Sequence, residues 1–387
     1  MKAARVLLFF GIVIAVYSSV IAYILYRGVH CFPPGTAART IVLWIGVFLV
    51  LSYLIGRVLE RYWLSPVSDL FVWIGSFWFG AMLYFLLALV MIDLVRLVHA
   101  LVPFLPDSLT TRPEQTSRVL FWVVCGLVSV TMIAGYLNAR HPRVHHRTLH
   151  VGKAAGGADS LRLVLASDIH LGTIVGRKRL DGIANTIENL HPDLVLFPGD
   201  LVDEDLAPVI KENLGETLRS IKAPMGVFGI TGNHEYIGGA EEAVAYLEEH
   251  GVRMLRDTCV VLDGGITLCG REDRSITQFA GKNRKPLEVL MKDVDRNRPV
   301  IMMDHQPFDL DSVARAGVDL QISGHTHHGQ IWPLNYITGM VYEQSWGYLQ
   351  KRDTHFYVSS GVGTWGPPMR LGNRPEIVVL TLTFDNR

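Results

Sequence analysis

Residues 6–26, 40–56, 70–92 and 119–137 contain no Asp, Glu, Lys or Arg. These runs are 17 to 23 residues long, against the roughly 20 helical residues that cross a hydrocarbon core about 30 Å thick. A soluble helix of that length keeps a polar face, whereas in lipid a helix satisfies its own backbone groups and needs none. The runs therefore predict four transmembrane helices. The first is longer than a signal-peptide core, lacks a small-x-small cleavage site and is followed by further spans, so we read it as retained. The 49% hydrophobic content and four cysteines among 387 residues exclude a disordered chain and a disulfide scaffold.

The formal net charge of zero hides a split. Up to His150 there are 12 Lys and Arg against 5 Asp and Glu, and beyond it 24 against 31. With no overall excess of positive charge, the chain is not a whole-length nucleic-acid binder. Four spans put the amino terminus and the carboxyl-terminal half on one side of the bilayer. That side carries Lys2, Arg5, Arg57, Arg61, Arg140, Arg143, Arg147 and Lys153, and the other carries Arg27, Arg39, Arg96, Arg112 and Arg118. Eight against five predicts a multi-pass cell (inner) membrane protein with a cytoplasmic catalytic half. Asp93 stands at a span end and no ionisable residue is mid-span, which argues against a transporter. We expect a membrane domain at 1–137, a basic juxtamembrane linker at 138–160 and a catalytic domain at 161–387.

From residue 161 short β-branched runs alternate with helical patterns. Strands are expected at 161–167, 193–198, 226–231, 300–303 and 320–323, with helices such as 177–190 and 241–250 between them. Later runs at 259–262, 266–269, 355–359 and 377–384 suggest a second sheet. The predicted fold is an α-helical membrane domain joined to an α/β domain, a two-sheet β-sandwich flanked by helices.

The first five strands each end in potential metal ligands. Asp168-Ile169-His170 follows the first, Gly199-Asp200-Leu201-Val202-Asp203 the second and Gly232-Asn233-His234-Glu235 the third. Asp304-His305-Gln306-Pro307 and Gly324-His325-Thr326-His327 close the other two. Residues i and i+2 of an extended segment point the same way, so Asp168 with His170, and His325 with His327, are expected to converge. Five strand ends would meet along one edge, where open α/β sheets place their sites. Imidazole and carboxylate without thiolate suit Mn²⁺, Fe, Zn²⁺ or Ni²⁺. About seven such side chains suffice for two ions.

This series of motifs resembles the calcineurin-like metallophosphoesterase superfamily over residues 161–384. Gly-His-Thr-His-His-Gly-Gln at 324–330 and the glycine- and proline-rich tail at 361–376 are similar to its membrane-associated bacterial branch, which usually has Gly where this chain has His328. The resemblance implies that Asp168, His170 and His327 hold one metal and Asn233, His305 and His325 a second, with Asp200 bridging. Mn²⁺ is the first candidate for both ions. His234 would protonate the leaving group, with Asp203 orienting it. The implied reaction is hydrolysis of a phosphodiester or pyrophosphate bond by a hydroxide bridging the metals. Among the branch's substrates are lipid-linked pyrophosphates such as UDP-2,3-diacylglucosamine in lipid A biosynthesis; soluble phosphodiesters and phosphoproteins are the alternatives. A catalytically silent membrane receptor or scaffold would have lost Asp200 or Asn233, and both are present.

Three further features have weaker signals. Cys259 and Cys269 flank a hairpin turn at Asp263-Gly264-Gly265, and with a cytoplasmic domain they are expected to be reduced. Arg370 is read either as a contact to substrate phosphate or as half of a salt bridge. The aromatic stretch 332–348, with Trp365, lines an acyl-accepting cleft or packs ordinarily.

Overall fold

The computed structural model describes residues 2–385, with side chains from Gly11 to Asp385. Lys2 and Arg5, two of the charges in the topology count, therefore have side chains outside the described ones, as do the last two residues of the expected catalytic domain. The chain divides into two compact units, Met1–Ala134 and Gly135–Arg387.

The first unit is made of long apolar helices, Lys2–Val29, Ala37–Tyr62, Pro66–Leu101 and Pro113–Ala139, the last ending five residues beyond it. All four are long and apolar enough to cross a membrane. The second and third begin with side-chain caps. Thr36 accepts the Arg39 N–H, and Ser65 and Ser68 form a reciprocal capping box with Pro66 in the first turn.

The second unit is a sandwich of two six-stranded sheets. The first contains β1 (Arg143–Val151), β2 (Ser160–Leu165), β3 (Leu194–Phe197), β4 (Val227–Gly229), β5 (Arg253–Met254) and β12 (Glu376–Phe384), in the order β1-β12-β2-β3-β4-β5. The second contains β6 (Thr258–Val261), β7 (Thr267–Gly270), β8 (Val300–Met303), β9 (Leu320–Ser323), β10 (Gly347–Lys351) and β11 (Thr354–Val358), in the order β10-β11-β9-β8-β7-β6. In each sheet the central strands run parallel: β2 to β5 in the first, and β11, β9, β8 and β7 in the second.

Both faces of the sheets are covered, so the central strands are apolar at nearly every position rather than alternating. Leu163, Leu165, Leu194 and Leu196 meet Leu268, Ile301, Met303 and Ile322 between the sheets. Val164, Val195 and Phe197, on the opposite face, meet Leu180, Ile183 and Ile187 of the helix Arg177–Asn189.

Two expectations change. Residues 138–160 are not a linker, because β1 occupies their middle and pairs with β12 over nine residues. Only Leu149 and Val151 of β1 are fully buried, so its polar outer face hid the strand. The partition of the strands also differs. β8 and β9 belong to the second sheet, and β12, expected there, lies antiparallel beside β2 in the first.

Candidate metal centre

The loops after β2 and β3 continue the pairing of their strands. Asp168 N–H donates to Gly199 O (3.1 Å), His170 N–H to Asp200 O (3.0 Å) and Leu171 N–H to Leu201 O (2.7 Å). The backbone there is not the extended segment expected from sequence. Asp168, His170, Asp200, His325 and His327 have φ of 52°, 55°, 52°, 71° and 46°. Each left-handed residue costs on the order of 1 kcal/mol, and this concentration of strain marks a functional site. The side chains converge because these turns aim them inward. Gly199 and Gly232 make the close approach possible, since a Cβ on the first would overlap the His305 ring and on the second the Asp200 carboxylate.

The structure brings together the residues singled out above. Asp168, His170 and His327 form one buried set of potential ligand atoms within 4.8 Å of one another, Asp200, His305 and the half-buried His325 a second, and His170, Asp203 and His234 a third. His170 Nε2 faces His327 Nε2 at 3.0 Å, and Asp168 Oδ1 lies 3.6 Å from His327 Nε2. Asn233 Oδ1 is 2.7 Å from His325 Nδ1 and 3.3 Å from His305 Nε2. Asp200 stands between the sets, with Oδ2 3.1 Å from His305 Nε2 and 3.9 Å from His170 Nε2. Its other oxygen accepts the His234 N–H.

Two supports brace the candidate ligands. His305 Nδ1–H donates to Pro198 O at 2.8 Å, leaving Nε2 toward the site. Asp203 Oδ1 lies 3.4 Å from His170 Nδ1 and 3.0 Å from His234 Nδ1. Asp203 thus serves one imidazole from each neighbouring loop. Burial would raise the Asp203 pKa, but the adjacent His170 and His234 imidazoles hold it well below the usual carboxylate range. For His234, burial opposes the charge, and Asp200 and Asp203 outweigh it and hold the imidazole at about 9.

The donor set fits two cations. Asp168 and Asp200 are 0% and 2% exposed, and carboxylates so desolvated are retained where positive charge compensates them. With three buried histidines and a carboxamide oxygen beside them, hard or borderline divalent ions are the matching partners.

Several supports were not read from the sequence. Glu235, wholly buried, accepts N–H groups from Gly232 (2.7 Å), Val202 (2.9 Å) and Asp200 (3.2 Å), and so clips the loops after β3 and β4 together. Its signal was the capping-box position of an acidic residue at the third place of the short helix Asn233–Gly238. Replacing Glu235 with Gln turns an amide NH₂ toward backbone donors. We expect a loss of about 2 kcal/mol, read as a melting temperature lower by several degrees in the metal-loaded protein.

Arg370 fits neither of its two readings. It is 0% exposed and donates to Gly361 O (3.1 Å), Gly363 O (2.8 Å) and His327 Nδ1 (3.0 Å), behind the ligand rather than toward a phosphate. His328 turns away from the metal sets. At φ 44°, where Gly is more comfortable, its Nδ1 meets Ser345 Oγ at 3.0 Å and its ring packs on Trp346. Cys259 and Cys269 face each other in the β6–β7 register and are joined by a disulfide, correcting the expectation of reduced thiols.

The geometry agrees with what the chain is similar to. A profile of the calcineurin-like phosphoesterase family matches residues 161–329. An uncharacterized metallophosphoesterase of Helicobacter pylori is 33% identical over 257 residues, covering 65% of this chain and 67% of that one. One from Aquifex aeolicus is 32% identical over 250 residues, covering 64% and 94%. A transmembrane protein with metallophosphoesterase domain from Bos taurus is 34% identical over 272 residues, covering 66% and 61%. With its ligand-bearing strand ends folded into one edge of a two-sheet sandwich, the chain belongs to the calcineurin-like metallophosphoesterases.

Proposed function

We propose that the protein is a membrane-anchored, two-metal hydrolase of phosphodiester or pyrophosphate bonds whose substrate carries a lipid. The observation that supports this most is Asp200 standing between two buried ligand sets, with the His234–Asp203 pair beside them. Asp168, His170 and His327 would hold one ion, Asn233, His305 and His325 the other, and Asp200 both; Mn²⁺ suits the donors. Bound divalent ions supply Lewis acidity and an activated water nucleophile. The protein's own part is positional and acidic. His234, kept protonated by Asp200 and Asp203, gives its proton to the departing oxygen. Asp203 holds the ring in place as that proton leaves, and Trp365 stands edge-on to His234 with ring centroids 6.0 Å apart.

An apolar surface beside the site supports the lipid. Tyr342 meets His325 edge-on with ring centroids 5.9 Å apart, and the helix Leu334–Val341 before it exposes Tyr336, Ile337 and Met340, the last 78% exposed. UDP-2,3-diacylglucosamine is the specific candidate. Under Mn²⁺ we expect it to turn over faster than bis-p-nitrophenyl phosphate, and that diester faster than p-nitrophenyl phosphate. Preference for the monoester would replace this reading with a phosphatase.

Membrane orientation has an observation on each side. The eight-to-five count of Lys and Arg favours a cytoplasmic catalytic unit. The Cys259–Cys269 disulfide favours an oxidising compartment. A carboxyl-terminal reporter active only in the cytoplasm decides between them: signal supports the first, silence the second.

A further inference from the structure

The metal centre does not use a hollow of about 370 Å³ lined by Asn138, Arg143, His145, Trp346, Asn373 and Arg374, with Gly372. The volume falls within the roughly 300–1,000 Å³ of ligand pockets. Its lining includes two arginines and no carboxylate. Among the described residues neither guanidinium is paired with an acid. Glu376, which touches the lining residues Trp346 and His145, is 1% exposed and already accepts from Ser360 N–H (2.8 Å) and Trp346 Nε1–H (3.1 Å), with His145 Nε2 3.6 Å away. The hollow therefore offers uncompensated positive charge with an indole face beside it.

Its position indicates the kind of anion. Asn138 lies in the last turn of the apolar helix Pro113–Ala139, and Arg143 opens β1 four residues after that helix ends. Basic residues directly following a membrane helix meet the headgroup layer, each worth about 1 kcal/mol toward anionic lipid. The hollow is also wired to the metal ligands. Asn138 Nδ2 donates to Arg370 O (3.0 Å) and Asn373 O (2.7 Å), and Asn373 Nδ2 donates to His327 O (2.9 Å) and His328 O (3.0 Å).

We infer that this hollow binds the phosphate of an anionic phospholipid headgroup through Arg143 and Arg374, at the point where the chain leaves its last span. The bound headgroup braces the Asn373 turn that carries the backbone of His327.

The test uses the full-length protein in detergent, with melting temperature read against added phosphatidylglycerol, phosphatidylcholine or inorganic phosphate. Phosphatidylglycerol is expected to raise the melting temperature with a saturable half-point, and the other two to leave it in place. The double variant Arg143→Gln/Arg374→Gln is expected to bind phosphatidylglycerol about thirtyfold more weakly, the product of two arginine contacts. Equal shifts with phosphatidylcholine, a full shift with inorganic phosphate, or an unchanged half-point in the variant would overturn the inference. Should that variant fold poorly, native mass spectrometry of wild-type protein from mixed-lipid nanodiscs reads the same preference, and no enrichment of phosphatidylglycerol counts against it. Neither readout requires turnover, so the result stands apart from the fate of the proposed reaction.

Discussion

Replacing Asp200 with Ala is expected to strip both ions from the protein and lower turnover of a diester reporter by about four orders of magnitude, on the order of 5–6 kcal/mol of transition-state stabilisation. The expectation follows from placement. Among the described residues Asp200 is the one carboxylate within 4 Å of an imidazole from each set, 3.1 Å from His305 and 3.9 Å from His170. Losing it leaves each set a ligand short and also removes the acceptor of the His234 N–H. Asp168→Ala, by contrast, removes a side chain grouped with His170 and His327, which reaches the other set only through the His325 backbone N–H, and should cost one ion of the two. Metal content by elemental analysis, with turnover on the same sample, separates the cases. Asp200→Asn keeps an acceptor for His234 N–H and so guards against misreading a folding defect as metal loss. Two ions per chain retained in both Asp200 variants would remove the bridging role.

The reach of the sequence follows how local each signal is. The clusters of candidate ligands, which the fold brings together, were legible because each is a few consecutive residues at a strand end, so neither exact strand boundaries nor sheet partition affected them. The apolar runs were legible for the same reason. What escaped depended on distant partners. β1 reads Arg-Val-His-His-Arg-Thr-Leu-His-Val, with too few buried positions to look like a strand, and is made one by β12, more than 200 residues away. Arg370 is satisfied by carbonyls and an imidazole rather than by a carboxylate, which no charge pattern announces. The left-handed ligand residues carry Asp and His rather than Gly, so nothing in their identity reported the turn. The extended-strand argument for Asp168 and His170 thus arrived at convergence through the wrong backbone geometry.

His234→Ala, the second large effect, is expected to leave two ions per chain and slow hydrolysis by about 10²–10⁴-fold, the usual range for a positioned acid. The side chain is absent from the two sets that contain Asp168 and Asp200 but shares a third with His170 and Asp203, its Nδ1 lying 3.0 Å from Asp203 Oδ1, so retained metal in this variant is what separates an acid from a ligand. The deficit should grow with the basicity of the leaving group. A p-nitrophenolate departs without much help, whereas an alkoxide or a phosphate leaving from a pyrophosphate needs the proton. The pH profile carries the same signature. The raised pKa means that the active, protonated form persists below about 9 and is lost as pH climbs through that value. Bound cations nearby lower it, so the basic limb of the wild-type profile lies at or below about 9. His234→Ala should erase that limb while leaving the slow residual rate. Asp203→Asn provides the contrast, because Asp203 also faces His170 Nδ1 at 3.4 Å. It should cost about 10–100-fold in metal affinity as well as rate, whereas loss of an ion from His234→Ala would make His234 a ligand and transfer the acid's role elsewhere.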